Sequence, residues 1–535
     1  MYEVLDENFE NSFQMLFDAV SKASFITIDT EFTGINTEEN FRHSFFDTLS
    51  DRYNTLKRNI QPFIIIQFGI GTFHHVSEQN AYIAQCFNFY LFPRPLPVKN
   101  RQFSFQVTAL EFLYKHNFEF NKFISKGISY LDEIDEKLLK EYIEQGNILD
   151  NCTQLTYNEE DYLKECKDKV FKWLTEKSDQ TSLKLEAMNP ILQYILQKQL
   201  RSSFNNIWTT SGYKSIDIVK VTNEEQMRLE EQNSDCLESE LLNTCIGFSK
   251  VFKLLSSCKK PIVGHNMLLD LMFIYQQFYK PLPDSYKEFK KNIHSLFPQI
   301  YDTKYLSYEL QRILKRDEVI WKQNSLSLLY EFFSSNRGRQ LVFNSPQIIS
   351  KDESSICRHA HNAGWDAYCT GYIFARIGHI LAIRKYGKGL EERFVTHAEL
   401  MSAVKVFVNS VNITKGNSLS MKFDETDPPL SRPEWLHVKL KSRIVNTKKL
   451  VEKFSHFGPV DVMPYSQKGV LLAVSNHKSA LRILEHFEGN KEFQVARYSR
   501  IRHATFTSIF MWSGLVLVGG GVATWMVNKL NLKPT

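Results

Sequence analysis

At 535 residues the chain is too long for one ordinary hydrophobic core, so two to four packed units are expected. Apolar content of 43%, charged content of 23% and a net charge of +5 are ordinary for a globular protein. The eight cysteines are scattered, with no C-x-x-C, which excludes a disulfide framework or a zinc site and leaves reduced thiols.

Residues 1–18 carry acids and no apolar stretch, so no secretory signal is expected. Stretches 25–32, 63–75 and 82–92 have period-2 apolar character and predict a meander that begins a mixed sheet. The first holds Asp29 and Glu31 two apart among Phe25, Ile26 and Ile28, and Thr33-Gly34 ends it. From about 129 to 180 the chain turns acidic and helical. Residues 185–204 read as a helix and 213–221 as a strand, and a polar acidic run closes the segment before 240. A short strand at 261–263 and the turn Gly264-His265-Asn266 lead to an apolar helix with Asp270 near its start. Asp302-Thr303-Lys304 follow, and Asp366 opens a helix from 365 to about 380, with His361 on the loop before it.

Residues 431–500 read as strand (435–440), helix (447–457), two strands (460–465 and 469–476) and helix (477–487). Residues 431–503 carry 14 Lys and Arg against 6 Asp and Glu, so residues 1–430 are mildly acidic. Residues 504–527 form a 24-residue run without a charge, flanked by Arg497, Arg500, Arg502, Lys529 and Lys533. About 20 such residues span a bilayer. Gly519, Gly520 and Gly521 would weaken a water-exposed helix but are tolerated in membranes, so a transmembrane tail anchor is expected.

The acidic stretches have a common chemical reading. Hydrolysis of a phosphodiester needs an activated water and a stabilised leaving oxygen, and two divalent ions about 4 Å apart serve both. Hard ions such as Mg²⁺ take oxygen ligands, so carboxylates suit them. Asp29 and Glu31, at i and i+2 of a strand, share a face. An unpaired carboxylate among apolar neighbours is costly, and metal coordination accounts for Asp29 and Asp270 standing there. A loop histidine such as His361 can act as general base, with an ordinary pKa near 6.5. The stretches of Asp29 to Glu31, Asp270, Asp302 to Lys304, and His361 with Asp366 therefore read as one two-metal site.

These stretches, with FDTLSDRYNTLKRNIQPFIIIQFGIGTF at 46–73, ALEFLYKHNFEFNKFISKGISYL at 109–131, GHNMLLDLM and HNAGWDAYCTG, resemble the poly(A)-specific ribonuclease family of DEDDh exonucleases over roughly residues 5–500. The resemblance implies an α/β, RNase H-like core that removes nucleotides from RNA 3′ ends. By it, Asp29, Glu31, Asp270 and Asp366 hold two Mg²⁺ ions, with Mn²⁺ able to substitute, and His361 is the base. Phe32, Ile35, His265, Asn266, Leu269 and Lys304 match positions that hold the terminal nucleotides.

The resemblance also implies nuclease halves at 1–150 and 240–390, an inserted α/β single-strand-binding-like domain at 151–239, a linker at 391–430 and an RRM-like α+β module at 431–500. The insert lacks the family's Arg-x₃-His signature, with Gln193 and its neighbours on that helix, so a packing or dimer-supporting role is at least as well favoured as RNA binding. In the C-terminal module Val470 and Leu472 replace stacking aromatics, His437 is the sole stacking candidate on the first strand, and Pro464-Tyr465 stands where a cap-stacking tryptophan is expected.

With its apolar tail, the chain resembles the membrane-anchored branch of that family, which trims piRNA precursors in germ cells. That likeness implies single-stranded RNA with a free 3′ end, a PIWI-family protein holding it, a Tudor-domain adaptor on the membrane, and a second copy of the chain as partners. It implies the mitochondrial outer membrane, with the nuclease facing the cytosol, and the endoplasmic reticulum as the alternative. Two other readings stay open: an mRNA deadenylase of the same chemistry, and a non-catalytic RNA-binding scaffold on a membrane.

Overall fold

The computed structural model describes residues 1–499 apart from 38–42, 97–98, 146–156, 177–180, 188, 233–235, 315–320, 322, 340, 342, 352–359, 388–392, 430–431 and 442–445. It divides into two compact units, one of residues 1–41, 53–412 and 422–427 and one of residues 42–52, 413–421 and the chain from 428.

The first unit is built on a mixed sheet with Phe25–Phe32 near its centre. On one side Ile65–Val76 and then Ala81–Tyr90 pair antiparallel, as the expected meander requires. On the other side Ile262–Gly264, Ile300–Asp302 and Ser410–Asn412 run parallel. Tyr2–Val4 and Gln347–Ser350 both pair parallel with Ala81–Tyr90. Ile26 stands opposite Ile262 and Thr27 opposite Val263, so the ends of those strands, distant in sequence, open on the same edge of the sheet.

Helix Ala363–Tyr386 packs against the sheet and is buried almost without interruption from Ala363 to Ala382. It is enclosed on every side, so no exposed polar stripe runs along it to mark its end in the sequence. It lies so close that a Cβ on Gly69 would stand 1.8 Å from the Ala363 carbonyl oxygen. Only glycine allows that approach. Phe25 stacks on Phe73 at 4.8 Å and meets Phe374 edge-on at 4.9 Å, tying helix to strands.

Within the same unit, helices Glu133–Glu144, Tyr157–Thr175, Pro190–Ser203 and Cys236–Ile246 surround a three-stranded antiparallel sheet ordered Ser182–Glu186, Ser215–Lys220, Ile207–Gly212. Leu139, Val170, Leu196, Ile216 and Leu241 share its core. The helix expected over 185–204 begins later, at Pro190, because the Asn189 side chain accepts the N–H of Leu192 at 2.9 Å and so caps it. Residues before that cap pair as a strand. The strand expected from 213 begins at Ser215, because Tyr213 and Lys214 form the hairpin turn, with Lys214 at φ +49°.

The second unit has a four-stranded antiparallel sheet ordered Val460–Ser466, Gly469–Val474, Leu436–Leu440, Phe493–Arg497, with helices Thr447–Ser455 and His477–His486. Val438, Phe454, Val470, Leu472 and Ile483 fill its core. Leu471 and Ala473 alternate with those residues on their strand and are still buried, at 2% exposure each. On the same face Asp461 accepts the N–H of Phe45 at 2.7 Å and meets the Lys415 ammonium at 3.2 Å. Among the described residues no helix is long and apolar enough to cross a membrane, and the span expected at 504–527 lies outside them.

Candidate active site

The strand Phe25–Phe32 is fully buried through Ile28 and half-buried at Asp29, Glu31 and Phe32. Asp366 lies in the first turn of helix Ala363–Tyr386. That end of the helix is fixed from three directions. The Asn362 side chain accepts the N–H of Trp365 at 3.2 Å, Gln67 Oε1 accepts that of Ala363 at 2.9 Å, and Asn88 Oδ1 accepts that of Gly364 at 3.1 Å. Gln67 is also the cross-strand partner of Glu31, so one residue ties the two acid-bearing elements together. The first N–H groups of a helix have no partners of their own, and here the sheet supplies them.

His361 adopts a left-handed backbone, φ +66°, a conformation costly for most L residues. Its N–H donates to Asp366 Oδ2 at 3.0 Å. The turn brings one ligand atom each of Glu31, His361 and Asp366 within 4.8 Å of one another. The His361 ring is exposed and packs against His116 (4.1 Å between centroids) and Phe112 (4.7 Å), both from the segment that follows the meander.

Burial, and then the charges of Asp366, Asp270 and Glu31, raise the Asp29 pKa well above the usual carboxylate range. Burial, Asp366 and Asp270 do the same to Glu31. Burial pushes Asp270 up to about 6 and Asp366 up to about 7. Glu31 and Asp366 stand together with His361, and the charges of Asp29 and Asp270 reach them, so ionising all four carboxylates without a compensating cation is costly, and their oxygen donors suit a hard divalent ion. The donor set therefore fits a metal centre.

A raised carboxyl pKa means that the folded chain holds protons more tightly than the unfolded one. The resulting cost to the metal-free fold is absent below the unfolded pKa of about 4, grows as pH rises from there to about 6 and 7, and is fully present above. A bound cation removes it. Mn²⁺ is therefore expected to raise the melting temperature of chelator-treated protein more near pH 8 than near pH 5. Equal shifts at both would show that these carboxylates are not the binding groups.

Asp302 does not join them. It is fully buried, and its two oxygens accept N–H groups from Asn266 (2.9 Å), Met267 (3.3 Å), Lys304 (2.9 Å), Tyr305 (3.3 Å) and Asn412 (2.9 Å). Of the stretch Asp302-Thr303-Lys304, Asp302 is thus satisfied by main-chain N–H groups, and the substrate-facing candidate is Lys304. Asp302 caps one helix and pins the 265–267 turn.

The residues expected around the substrate open on one edge of the sheet, beyond the carboxyl ends of three parallel strands. Phe32 ends the first and stacks on Phe273 at 4.2 Å, and Ile35 follows, exposed. His265, Asn266 and Leu269 follow the second. His265 Nδ1 lies 2.9 Å from the Thr303 hydroxyl, and burial, then the Lys304 charge, pushes its pKa down to about 3, so the ring is neutral. Asn266, at φ +61°, accepts from the Asn412 amide at 2.7 Å. Lys304 follows the third, and burial lowers its pKa. Ligands in α/β sheets commonly bind at this edge.

Sequence reasoning missed Gln67, Asn88, His116, Phe112 and Asn412. Gln67 and Asn88 had left a signal, as single amides inside the apolar runs FIIIQFGI and CFNFY, where a buried polar group needs a partner. In the second unit the Tyr465 ring meets His437 at 5.6 Å and Tyr498 at 5.7 Å, so that unit carries more aromatic surface than one histidine.

A family model described as CAF1 family ribonuclease matches residues 4–374. The chain belongs to the CAF1 ribonuclease family. It is 36% identical to the "Pre-piRNA 3'-exonuclease trimmer" of Bombyx mori over 98% of each chain. It is 30% identical to "Poly(A)-specific ribonuclease PNLDC1" of Mus musculus, over 93% of this chain and 94% of that one. It is also 30% identical to "Poly(A)-specific ribonuclease PARN" of Xenopus laevis, over 71% of this chain and 63% of that one. It is a 3′→5′ exoribonuclease.

Proposed function

We propose that this exoribonuclease trims the 3′ ends of piRNA precursors held by a PIWI-family protein, from a membrane to which residues 504–527 anchor it. The observation that carries this reading is the 36% identity to the Bombyx mori trimmer along 98% of both chains, which leaves almost nothing of either outside the match. The uncharged 24-residue run supports the anchor, and the mitochondrial surface, beside a Tudor-domain adaptor, is its proposed place.

In this reading Asp29, Glu31, Asp270 and Asp366 hold two divalent ions, Mg²⁺ in the cell and Mn²⁺ as a substitute. Those ions supply positive charge at both the attacking and the leaving oxygen. His361, neutral at physiological pH, takes the proton of the attacking water at its ring nitrogen. Phe32 and Ile35 present apolar surface to a terminal base, while His265, Asn266, Leu269 and Lys304 face the nucleotides from the neighbouring strand ends. A second reading, a poly(A) deadenylase, is favoured by the names of the mouse and frog relatives, both poly(A)-specific ribonucleases.

Deleting residues 504–535 tests the first reading. The truncated protein should leave carbonate-washed membranes and keep its turnover on free oligonucleotide. Small RNAs in the cell should nevertheless lengthen at their 3′ ends, since an enzyme and a substrate on one membrane meet at high effective concentration. A truncated protein still embedded would remove the anchor from the reading. A soluble one that trims normally, and prefers A-tailed RNA, would favour the deadenylase.

A further inference from the structure

We propose that Thr30 is a positioning residue for Asp270. The inference rests on the reading of Asp270 as a metal ligand. Thr30 stands between Asp29 and Glu31 and is 6% exposed. Its hydroxyl donates to Asp270 Oδ1 at 2.5 Å.

A threonine in a strand needs no special explanation, because β-branched residues suit strands. The destination of its hydroxyl does. The other buried threonines of this sheet bond main-chain carbonyls, Thr27 that of Ala367 at 2.7 Å and Thr72 that of Gln85 at 3.1 Å. Thr30 instead reaches an acidic side chain on the next element, 240 residues away.

A carboxylate has two oxygens, and this bond leaves Oδ2 for a cation while fixing the plane of the group. Asp270 stands on a short helix, Leu268–Ile274, and without that bond its side chain is free to rotate about two torsions. Hydrogen bonds to ionised acceptors are stronger and more directional than neutral ones. Groups that hold a metal ligand from behind typically contribute 10–100-fold to metal affinity or activity.

The test uses full-length protein in mild detergent, stripped of metal, and titrates Mn²⁺ by calorimetry without RNA. Thr30→Val is isosteric and keeps the strand preference, so the metal-free melting curve should stay close to that of the wild type. Its affinity for Mn²⁺ should fall roughly 10–100-fold. Thr30→Ser restores the hydroxyl and should bind close to wild type. Half-saturating RNA, measured at saturating Mn²⁺, should not change in either variant. If Thr30→Val proves unstable, the Thr30→Ala and Thr30→Ser pair gives the same comparison. Wild-type Mn²⁺ affinity in Thr30→Val, or a serine variant as weak as the valine one, overturns the proposal. Asp270→Ala separates this failure from a wider one. If it binds Mn²⁺ as the wild type does, the metal-ligand reading falls and Thr30 with it. If it loses an ion while Thr30→Val keeps both, only the positioning role falls.

Discussion

Asp29→Ala and Glu31→Ala should each abolish release of 3′ nucleotides while leaving the fold intact. Both acids leave the buried part of one strand on the side where Asp366 arrives, and both feel its charge. Removing either takes away a ligand from the place where charge must be held on the attacking and leaving oxygens. The fold should survive, because these carboxylates cost the metal-free chain stability at neutral pH, their folded pKa values standing above the unfolded ones. The metal-free melting temperature at pH 7.5 should therefore be equal to or above that of the wild type. Turnover would be measured on 3′-hydroxyl RNA with Mg²⁺ or Mn²⁺. Near wild-type rates in either variant would remove these residues from the catalytic set. Lost activity together with a collapsed melting transition would mean that their role is structural.

The acids were legible because their residue types conflict with their surroundings. A pair of carboxylates in a run of Phe and Ile invites a question that the sequence alone can raise. The strand around them was legible to the residue, since a short apolar run opens it at Phe25 and Thr33-Gly34 ends it. Asp302 shows the limit. A carboxylate after an apolar strand reads the same whether it binds a metal or caps a helix. The deciding N–H groups come from Asn266, Met267 and Asn412, which no local pattern connects to it. The far end of helix Ala363–Tyr386 was illegible for a related reason, because a helix enclosed on every side has no polar stripe whose loss marks its end. Asn189-Pro190 was the opposite case, a start signal present in the sequence and outweighed by the helical run around it.

His361→Ala should lower the rate roughly 10²–10⁴-fold, the usual worth of a positioned general base. Burial and the neighbouring His116 hold the His361 pKa below its ordinary value, so at physiological pH the ring is neutral, the form that accepts a proton. Its place is set by backbone as much as by side chain. The left-handed turn and the N–H bond to Asp366 bring the ring over the acids, with Phe112 and His116 against it. Alanine keeps that N–H but tolerates φ +66° poorly. His361→Asn is therefore the better variant, since asparagine accepts the left-handed backbone and offers no group that titrates near neutrality. Both variants should lose rate, while Mn²⁺ affinity in His361→Asn stays near wild type because Asp366 keeps its bond. Single-turnover kinetics are needed, so that chemistry and not product release is read. An unchanged single-turnover rate in His361→Asn would assign water activation to another group. A rate lost together with Mn²⁺ affinity would make His361 a metal ligand, the role that its closeness to Glu31 and Asp366 also permits.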